Sequence, residues 1–214
     1  MTHPGDVDMA TVTLSKATPS VNLTEPGARQ GVMRAHLRWS SRPRGLLRRA
    51  KPVDLDLGCL YELSDGDKGV VQAVGNNFGS IDDAPYIRLD GDDRTGGGVN
   101  GDDGGGGDGG GETLHIDLTR PELFRRILIF AFIYDGVPNW AAADAVVTLF
   151  PTEGPRVEMA LDSPSRGARC CAVALLENRG SGIVVNREVN YINGTQRHID
   201  EAYGWGMRWH STTK

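Results

Sequence analysis

The chain has 214 residues, of which 39% are apolar and 24% are charged, with 29 glycines and a formal net charge of −5. This length corresponds to one domain, and the apolar content suffices for a hydrophobic core, which excludes a wholly disordered chain. The longest apolar run, Ile127–Tyr134, is far shorter than the roughly 20 residues that a membrane-spanning helix needs. We expect a flexible N-terminal segment over residues 1–9 and a single domain over residues 10–214.

The predicted elements are mostly short strands, separated at near-regular intervals by turn residues. Apolar and polar residues alternate in many of these segments, which is the period of a strand with one buried face. The predicted strands are Thr11–Ser15, Val32–Trp39, Val53–Leu63, Lys68–Val74, Tyr86–Leu89, Thr113–Leu118, Ile127–Tyr134, Ala145–Phe150, Arg156–Leu161, Cys170–Glu177 and Ile183–Tyr191. Many short strands at this spacing are typical of an all-β fold, and we predict an antiparallel two-sheet β-sandwich.

Two short helices are also predicted. The first covers Thr119–Arg126, where Thr119 can act as the N-cap and Pro121 lies near the first turn. The second covers Thr195–Tyr203 and is expected to end at Gly204. Two helices of this length leave the all-β prediction unchanged.

Charged residues are unevenly distributed along the chain. Residues 29–51 contain eight basic residues and no acidic one, whereas residues 82–117 contain ten acidic residues and two arginines. The acidic stretch is rich in glycine between Asp90 and Glu112, and glycine loses more backbone entropy in a helix or strand than any other residue. We therefore predict a long loop there, with a glycine-rich insertion at residues 97–107.

The strongest chemical signal is Asp54-Leu55-Asp56-Leu57, at the start of a predicted strand. Because strand side chains alternate, the two carboxylates share one face at about 7 Å from each other, and the leucines can enter the core. The acidic loop downstream adds further negative charge. Three outcomes are open: the loop extends into solvent, some carboxylates take up protons, or a hard cation such as Ca²⁺ binds.

Several motifs occur in a fixed order along the chain. They are Val53–Gly58, Cys59–Leu63, Lys68–Val74, Gly75–Asn77, Pro85–Thr95, Gly107–Gly109 with Glu112, Ile127–Asp135 and Tyr203–Trp209. Together they resemble the TerD family of bacterial tellurium-resistance and stress proteins, and in particular its TerA-type branch. The resemblance extends over residues 10–214 and implies a β-sandwich that binds one or two Ca²⁺ ions at one end.

The resemblance also implies which residues bind the metal. By position in the motifs, the implied ligands are Asp54, Asp56, Asn76, Asn77, Asp92, Asp93, Thr95, Asp108 and Glu112. Two departures from the family pattern concern the acidic loop. Asp93 stands in place of an asparagine, while Gly110 and Gly111 stand where the family has two aspartates. The second departure removes oxygen ligands and weakens the expectation of a second ion.

The basic segment Arg42–Lys51 includes Leu46 and Leu47. Such a segment can contact an anionic membrane surface, or it can be a solvated loop between two strands. The only aromatic residue close to it in the sequence is Trp39, so stacking on nucleic-acid bases is not expected. The expected partners are other Ter-type proteins, with peripheral membrane contact through this segment as the alternative, and no small-molecule substrate is indicated.

The three cysteines, Cys59, Cys170 and Cys171, do not indicate a disulfide framework, because their number is odd and two are adjacent. No secretory signal is visible at the N-terminus. We therefore expect a cytoplasmic protein, with membrane association left open. Cys170 and Cys171 lie in an apolar strand and should point to opposite faces, so core packing is favoured over reaction with tellurite.

The predicted function is that of a calcium-binding stress or tellurite-resistance protein, acting as a Ca²⁺-responsive interaction module. An enzyme is not expected, because no ordered set of nucleophile, acid and base is visible. Two alternatives remain. One is a divalent-metal-dependent hydrolase that uses the same carboxylates, and the other is a purely structural assembly protein.

Overall fold

The structure is a computed structural model that describes residues 11–23, 30–40, 53–91, 111–136, 138–163, 167–180 and 182–209. The strands in these residues are β1 (Thr11–Thr13), β2 (Ser20–Asn22), β3 (Val32–Arg38), β4 (Asp54–Leu63), β5 (Lys68–Gln72), β6 (Gly79–Ser80), β7 (Ile87–Leu89), β8 (Glu112–Asp117), β9 (Phe124–Asp135), β10 (Ala145–Phe150), β11 (Arg156–Leu161), β12 (Cys170–Asn178) and β13 (Ile183–Ile192). The α-helices are α1 (Trp140–Ala143) and α2 (Gln196–Tyr203), and 3₁₀ turns cover Val74–Asn76 and Pro121–Leu123.

The strands form two sheets, which confirms the predicted sandwich. One sheet has the order β1-β11-β10-β3-β8-β7-β6, and the other has the order β2-β13-β12-β9-β4-β5. Pairing is antiparallel except between β1 and β11. Each predicted strand is present with shifts of a few residues at its ends. The very short β2 and β6 are additional to the prediction, because two or three residues carry no detectable period.

Strand β4 sends its side chains alternately into two apolar layers. Leu55, Leu57 and Cys59 pack in the main core between the sheets, whereas Leu60 packs in a second core on the outer face of the six-stranded sheet. Helix α2 and the segment that follows it close the second core, with Trp205 buried in it. Both faces of β4 are therefore covered, and nearly all of its residues are buried.

The predicted helix over Thr119–Arg126 is wrong in its second half. Pro121–Leu123 forms a 3₁₀ turn, and β9 begins at Phe124. This part of the chain pairs with β4, and the buried Phe124 side chain joins the main core, so tertiary pairing overrides the local helix signal. Asp117 makes the local turn contact: its Oδ1 accepts hydrogen bonds from the Thr119 backbone N–H at 2.9 Å and from the Thr119 hydroxyl at 2.7 Å.

The second predicted helix is confirmed as α2. Thr195 is its N-cap, and the Thr195 backbone N–H donates to His198 Nδ1 at 3.1 Å. Gly204 ends the helix with a φ of 63°, a left-handed conformation that glycine adopts without strain. This turn leads the chain back over the sheet, where Trp205 enters the second core.

A buried carboxylate fastens the C-terminal segment to the six-stranded sheet. Glu62, on the outer face of β4, is 1% exposed and accepts a hydrogen bond from Arg126 Nε at 2.6 Å. The Arg126 guanidinium lies 3.8 Å from the ring centroid of Trp205 and donates to the carbonyl oxygens of Tyr203 at 3.1 Å and Gly204 at 3.2 Å. One arginine thus joins β9, β4 and the end of α2.

Replacement of Arg126 by Met is expected to destabilise the protein by about 2–4 kcal/mol, because it leaves a buried carboxylate without its principal cation and removes the contact with Trp205. The matched control is Arg125→Met. Arg125 also contacts Glu62, at 2.7 Å, but its side chain is 70% exposed, so its loss should cost less than about 1 kcal/mol. Urea denaturation followed by tryptophan fluorescence measures both losses, and equal values would contradict this account.

The Arg126 contribution should also depend on pH. Burial by itself raises the pKa of Glu62, but the hydrogen bond from Arg126 and the charges of Arg126, Lys68 and Arg125 lower this pKa below its ordinary value. Because the pKa is lower in the folded state than in the unfolded state, the stabilisation is present above the unfolded pKa and is lost as pH falls through the folded pKa. The difference between wild type and Arg126→Met should shrink over that acidic range.

Candidate functional site

Two of the predicted ligands lie at the start of β4, where it pairs with the end of β9. Asp56 has no exposed surface, and Asp54 is 9% exposed. Leu55 and Leu57 pack in the main core, so the two aspartates belong to the alternate positions on the outer face of the six-stranded sheet, as the strand period predicts. Both carboxylates are thereby held at one end of the sandwich.

Glu112 comes from the other sheet and reaches this same strand. Its Oε2 accepts a hydrogen bond from the Leu57 backbone N–H at 2.6 Å, and the residue is 2% exposed. Strand β5 pairs with β4 from Gly58 to Glu62, so Leu57 lies just beyond that pairing. The Glu112 carboxylate therefore accepts a backbone hydrogen bond at the position where a neighbouring strand would otherwise do so, and it links the two sheets there.

Gly111 and His36 determine how Glu112 enters the site. Gly111 has a φ of 122°, and a Cβ at this position would clash with the Leu37 carbonyl oxygen and lie 3.0 Å from His36 Cε1. An L side chain is therefore excluded unless the backbone moves. His36 Nδ1 lies 3.0 Å from the Thr113 hydroxyl oxygen. The glycine allows β8 to begin close against β3, with Glu112 in register with Leu37.

Gly111 and His36 lie beside the start of β8 and help to position Glu112, a role that the sequence prediction does not include. In the sequence, Gly111 is a departure from the family pattern that removes an oxygen ligand. In the structure, it is a steric requirement for the entry of β8. The available sequence signal was a glycine directly before a strand, which indicates an unusual backbone angle without identifying what lies beside it.

The paired asparagines, Asn76 and Asn77, lie in the turn that follows β5, and both are exposed. The Asn77 backbone carbonyl accepts a hydrogen bond from the Gln72 N–H at 2.8 Å, and its Nδ2 donates to the Val70 carbonyl at 2.5 Å. Because Gln72 pairs with Gly58, this turn lies at the same end of the sheet as the two aspartates. The Asn77 amide nitrogen, however, is directed back along β5.

Several predicted features lie outside the described residues. They are the ligands Asp92, Asp93, Thr95 and Asp108, the insertion at residues 97–107, the segment Arg42–Lys51 and residues 1–9. Within the part of the chain that the structure describes, no group of three or more His, Cys, Asp or Glu side chains has an arrangement that could hold a metal ion. The described carboxylates therefore supply part of a ligand set and not a complete one.

Burial makes the negative charges at this end of the sandwich energetically costly. Transfer of a charged carboxylate from water into the interior is unfavourable unless hydrogen-bond donors or cations surround it, and neighbouring like charges add to the cost. Asp54, Asp56 and Glu112 are all buried, and the Leu57 N–H provides one donor. Carboxylates are hard oxygen ligands, which suit Ca²⁺ and Mg²⁺ better than soft metals.

The cysteines are separate from this site. Cys171 packs in the main core and Cys170 in the second core, which confirms that they point to opposite faces. Burial raises the pKa of Cys59 and of Cys170 to about 12, and it raises the pKa of Cys171 as well. The thiolate is the reactive form, so these thiols are suited to packing and not to reaction with a soft oxyanion near neutral pH.

The chain is 40% identical to the tellurium resistance protein TerA of an Alcaligenes species, over 97% of this chain and 60% of TerA. Two crystal structures have a similar fold. One is a protein of unknown function, with a TM-score of 0.56 and 16% identity over 78% of this chain and 92% of that chain. The other is a homologue of the telluride resistance protein TerD from Streptomyces coelicolor, with a TM-score of 0.55 and 19% identity over 77% and 92%. No protein-family model matches the chain.

In its sandwich fold and over 97% of its sequence, the chain is similar to the TerD/TerA family of tellurium-resistance proteins. The resemblance that the motifs predict is thereby confirmed. The two solved structures support the fold alone, since their identities are low. The chain spans about 60% of the length of TerA. Neither described helix is long and apolar enough to cross a membrane.

Replacement of Glu112 by Ala should destabilise the protein by about 1–3 kcal/mol, because the buried Leu57 N–H then loses its acceptor. Hydrogen exchange of the Leu57 amide, measured by NMR, should become faster in this variant. Glu112→Gln keeps an acceptor oxygen at the same position and should preserve more of the protection. Unchanged Leu57 exchange in Glu112→Ala would show that the bond contributes little in solution.

The native thiols should be inert to thiol reagents. Because burial disfavours the thiolate at Cys59, Cys170 and Cys171, we expect no labelling by Ellman's reagent at pH 7.5 in the folded protein and labelling of all three cysteines in denaturant. Rapid labelling of one thiol in the native state would contradict the burial. If the labelling were then lost in Cys170→Ser, the reactive thiol would be Cys170, which lies in the second core.

Proposed function

We propose that this chain is a calcium-responsive interaction module of a bacterial tellurite-resistance or stress-response system. The observation that carries the proposal is the burial of three carboxylates near the start of β4: Asp54 and Asp56 belong to the strand itself, and Glu112 reaches it from the other sheet at the Leu57 N–H. The 40% identity with TerA supports the resistance role. Because the chain spans about 60% of TerA, the activity of the whole relative is carried over here as a proposal.

The described carboxylates are the type of oxygen ligand that a hard cation prefers, but there are too few of them to complete its coordination. Ca²⁺ takes six to eight oxygen ligands, and the described carboxylates provide only some of them. The remaining ligands proposed from the family pattern are Asp92, Asp93, Thr95 and Asp108, with Asn76 and Asn77 in the adjacent turn. When bound, the ion supplies positive charge that offsets the mutual repulsion of the carboxylates. The chain itself holds β4 and β8 together through the bond between Leu57 and Glu112.

A binding role is proposed in preference to an enzymatic one. Two C-terminal residues of types that often take part in catalysis, His198 and Asp200, have structural contacts instead. Asp200 accepts hydrogen bonds from the backbone N–H groups of Gly206 at 2.6 Å and Met207 at 3.0 Å, and from the Trp209 indole at 2.5 Å. His198 contacts the N-cap of α2. These contacts favour an assignment of both side chains to the fold.

The proposed partners are other Ter-type proteins in the cytoplasm. In this proposal, the bound ion rigidifies the end of the sandwich, and the ordered surface contacts the partner. Peripheral contact of Arg42–Lys51 with an anionic membrane is the second proposed interaction, based on its charge and its two leucines.

Calcium should stabilise the wild-type chain and not the Asp56→Asn variant. At a free concentration of 100 times Kd, a ligand that binds only the folded state adds about 2.7 kcal/mol, which corresponds to a rise in Tm of roughly 5–10 °C for a chain of this size. Calorimetric titration with CaCl₂ gives stoichiometry and Kd, and melting with CaCl₂ or EDTA gives the shift. Asp56→Asn should lose the shift, because it removes a buried charged ligand.

The control for this experiment is Asp65→Asn. Asp65 is exposed in the turn at the other end of β4, and its Oδ1 accepts a hydrogen bond from the Asp67 N–H at 2.9 Å, which asparagine can also accept. This variant should keep the full response to calcium. A wild-type Tm that is the same in millimolar Ca²⁺ and in EDTA would refute the calcium proposal, and a stronger response to Mg²⁺ would favour the hydrolase alternative.

A further inference from the structure

A cleft of about 510 Å³ opens on the side of the sandwich away from the carboxylates, where the edges of β11 and β13 face each other. The connection between β1 and β2 crosses from one sheet to the other at this edge and provides part of the wall. The other walls come from the end of β11 and from β13. The residues that line the cleft are Ser15, Lys16, Pro19, Asp162, Ser163, Arg187, Glu188, Val189 and Tyr191.

Arg187 is the cation at the inner side of this cleft. In β13 it occupies the same alternation as Ile183 and Val185, which face the main core. Its charge acts on the buried thiol of Cys171 and on the phenol of Tyr191. Its Nε is buried, and within the described residues no hydrogen-bond acceptor reaches it. A buried donor without an acceptor is unfavourable, so its presence points to an acceptor that a ligand supplies.

The backbone is irregular directly beside Arg187. Ala172 pairs with Asn190 and Ala174 pairs with Arg187, so β13 has one residue more than β12 over this interval. Within this bulge, Val189 has a φ of 39°, a left-handed conformation that a β-branched residue rarely adopts. Bulges redirect side chains, and strained backbone is concentrated at binding sites. The bulge residues themselves line the cleft.

We propose that this cleft binds a small molecule that carries an oxyanion, with Arg187 as the principal recognition group. A planar guanidinium presents several N–H donors in the geometry that carboxylate, phosphate and related oxyanions accept. Lys16 adds a second positive charge at the mouth, and the Ser15 hydroxyl provides a further donor there. The site does not depend on calcium or on the resistance role.

The acidic residues of the cleft restrict the ligand to a small one. Asp162 is exposed at the mouth, and Glu188 Oε2 accepts a hydrogen bond from the Tyr203 hydroxyl at 2.8 Å. Two cations and two carboxylates leave no net positive charge, so an extended polyanion is not attracted. A single oxyanion group can still reach Arg187. The volume admits both a free ion, such as phosphate or tellurite, and a phosphate ester.

Calorimetric titration of the full chain tests this proposal, with sodium phosphate, sodium tellurite and glycerol 3-phosphate as probes at constant ionic strength and with EDTA present. Wild type should bind at least one probe with a Kd below about 1 mM. Arg187→Met should weaken that binding at least about tenfold, because the charge-assisted hydrogen bonds are lost. Arg179→Met removes the same charge from an exposed arginine that pairs with Glu177, and it should bind as wild type does.

Melting in chloride buffer shows whether Arg187→Met folds. Because no described residue accepts a hydrogen bond from Arg187 Nε, the Tm of Arg187→Met should lie within about 3 °C of the wild-type value. Preference for glycerol 3-phosphate would identify an organic ester as the ligand, and preference for a free ion would identify an inorganic oxyanion; either supports the proposal. Failure of wild type to bind any probe below about 1 mM, or equal affinities of wild type and Arg187→Met, would overturn it. Since EDTA is present throughout, these outcomes are independent of calcium.

Discussion

The hydrogen bond from the Leu57 N–H to Glu112 Oε2 is the contact on which this end of the sandwich depends. Strand β4 continues beyond the pairing with β5, and a backbone donor at that edge must find an acceptor. Glu112 supplies it from the opposite sheet, which ties the two sheets together and brings a third buried carboxylate to the start of β4. Gly111 permits this approach, because a side chain there would collide with β3.

The outer face of β4 contains buried carboxylates at both of its ends. At one end, Glu62 is neutralised by Arg126, which also stacks on Trp205 and fastens the C-terminal segment. At the other end lie Asp54 and Asp56, which are both buried. In the proposed function, a divalent cation has the role at Asp56 that the arginine has at Glu62.

The two proposed sites lie on opposite sides of the same sandwich. Asp56 belongs to β4, which faces β8, whereas Arg187 belongs to β13, which faces β11. Strands β9 and β12 and the main core lie between them. A cation site and an oxyanion site on one scaffold could be occupied independently, which is compatible with the proposed interaction module.

Features that depend on local pattern were predictable from the amino-acid sequence. Alternation in 54–57 placed the leucines in the core, Thr195 and Gly204 bounded α2, and the ordered motifs identified the family. Features that depend on contacts between distant segments became visible only in the folded chain. Glu112 meets Leu57 across a separation of 55 residues, pairing with β4 makes residues 124–126 a strand in place of the predicted helix, and the bulge in β13 lies directly beside Arg187 at the cleft. Such contacts leave no periodic signal in the sequence, because each joins segments whose local patterns are unrelated.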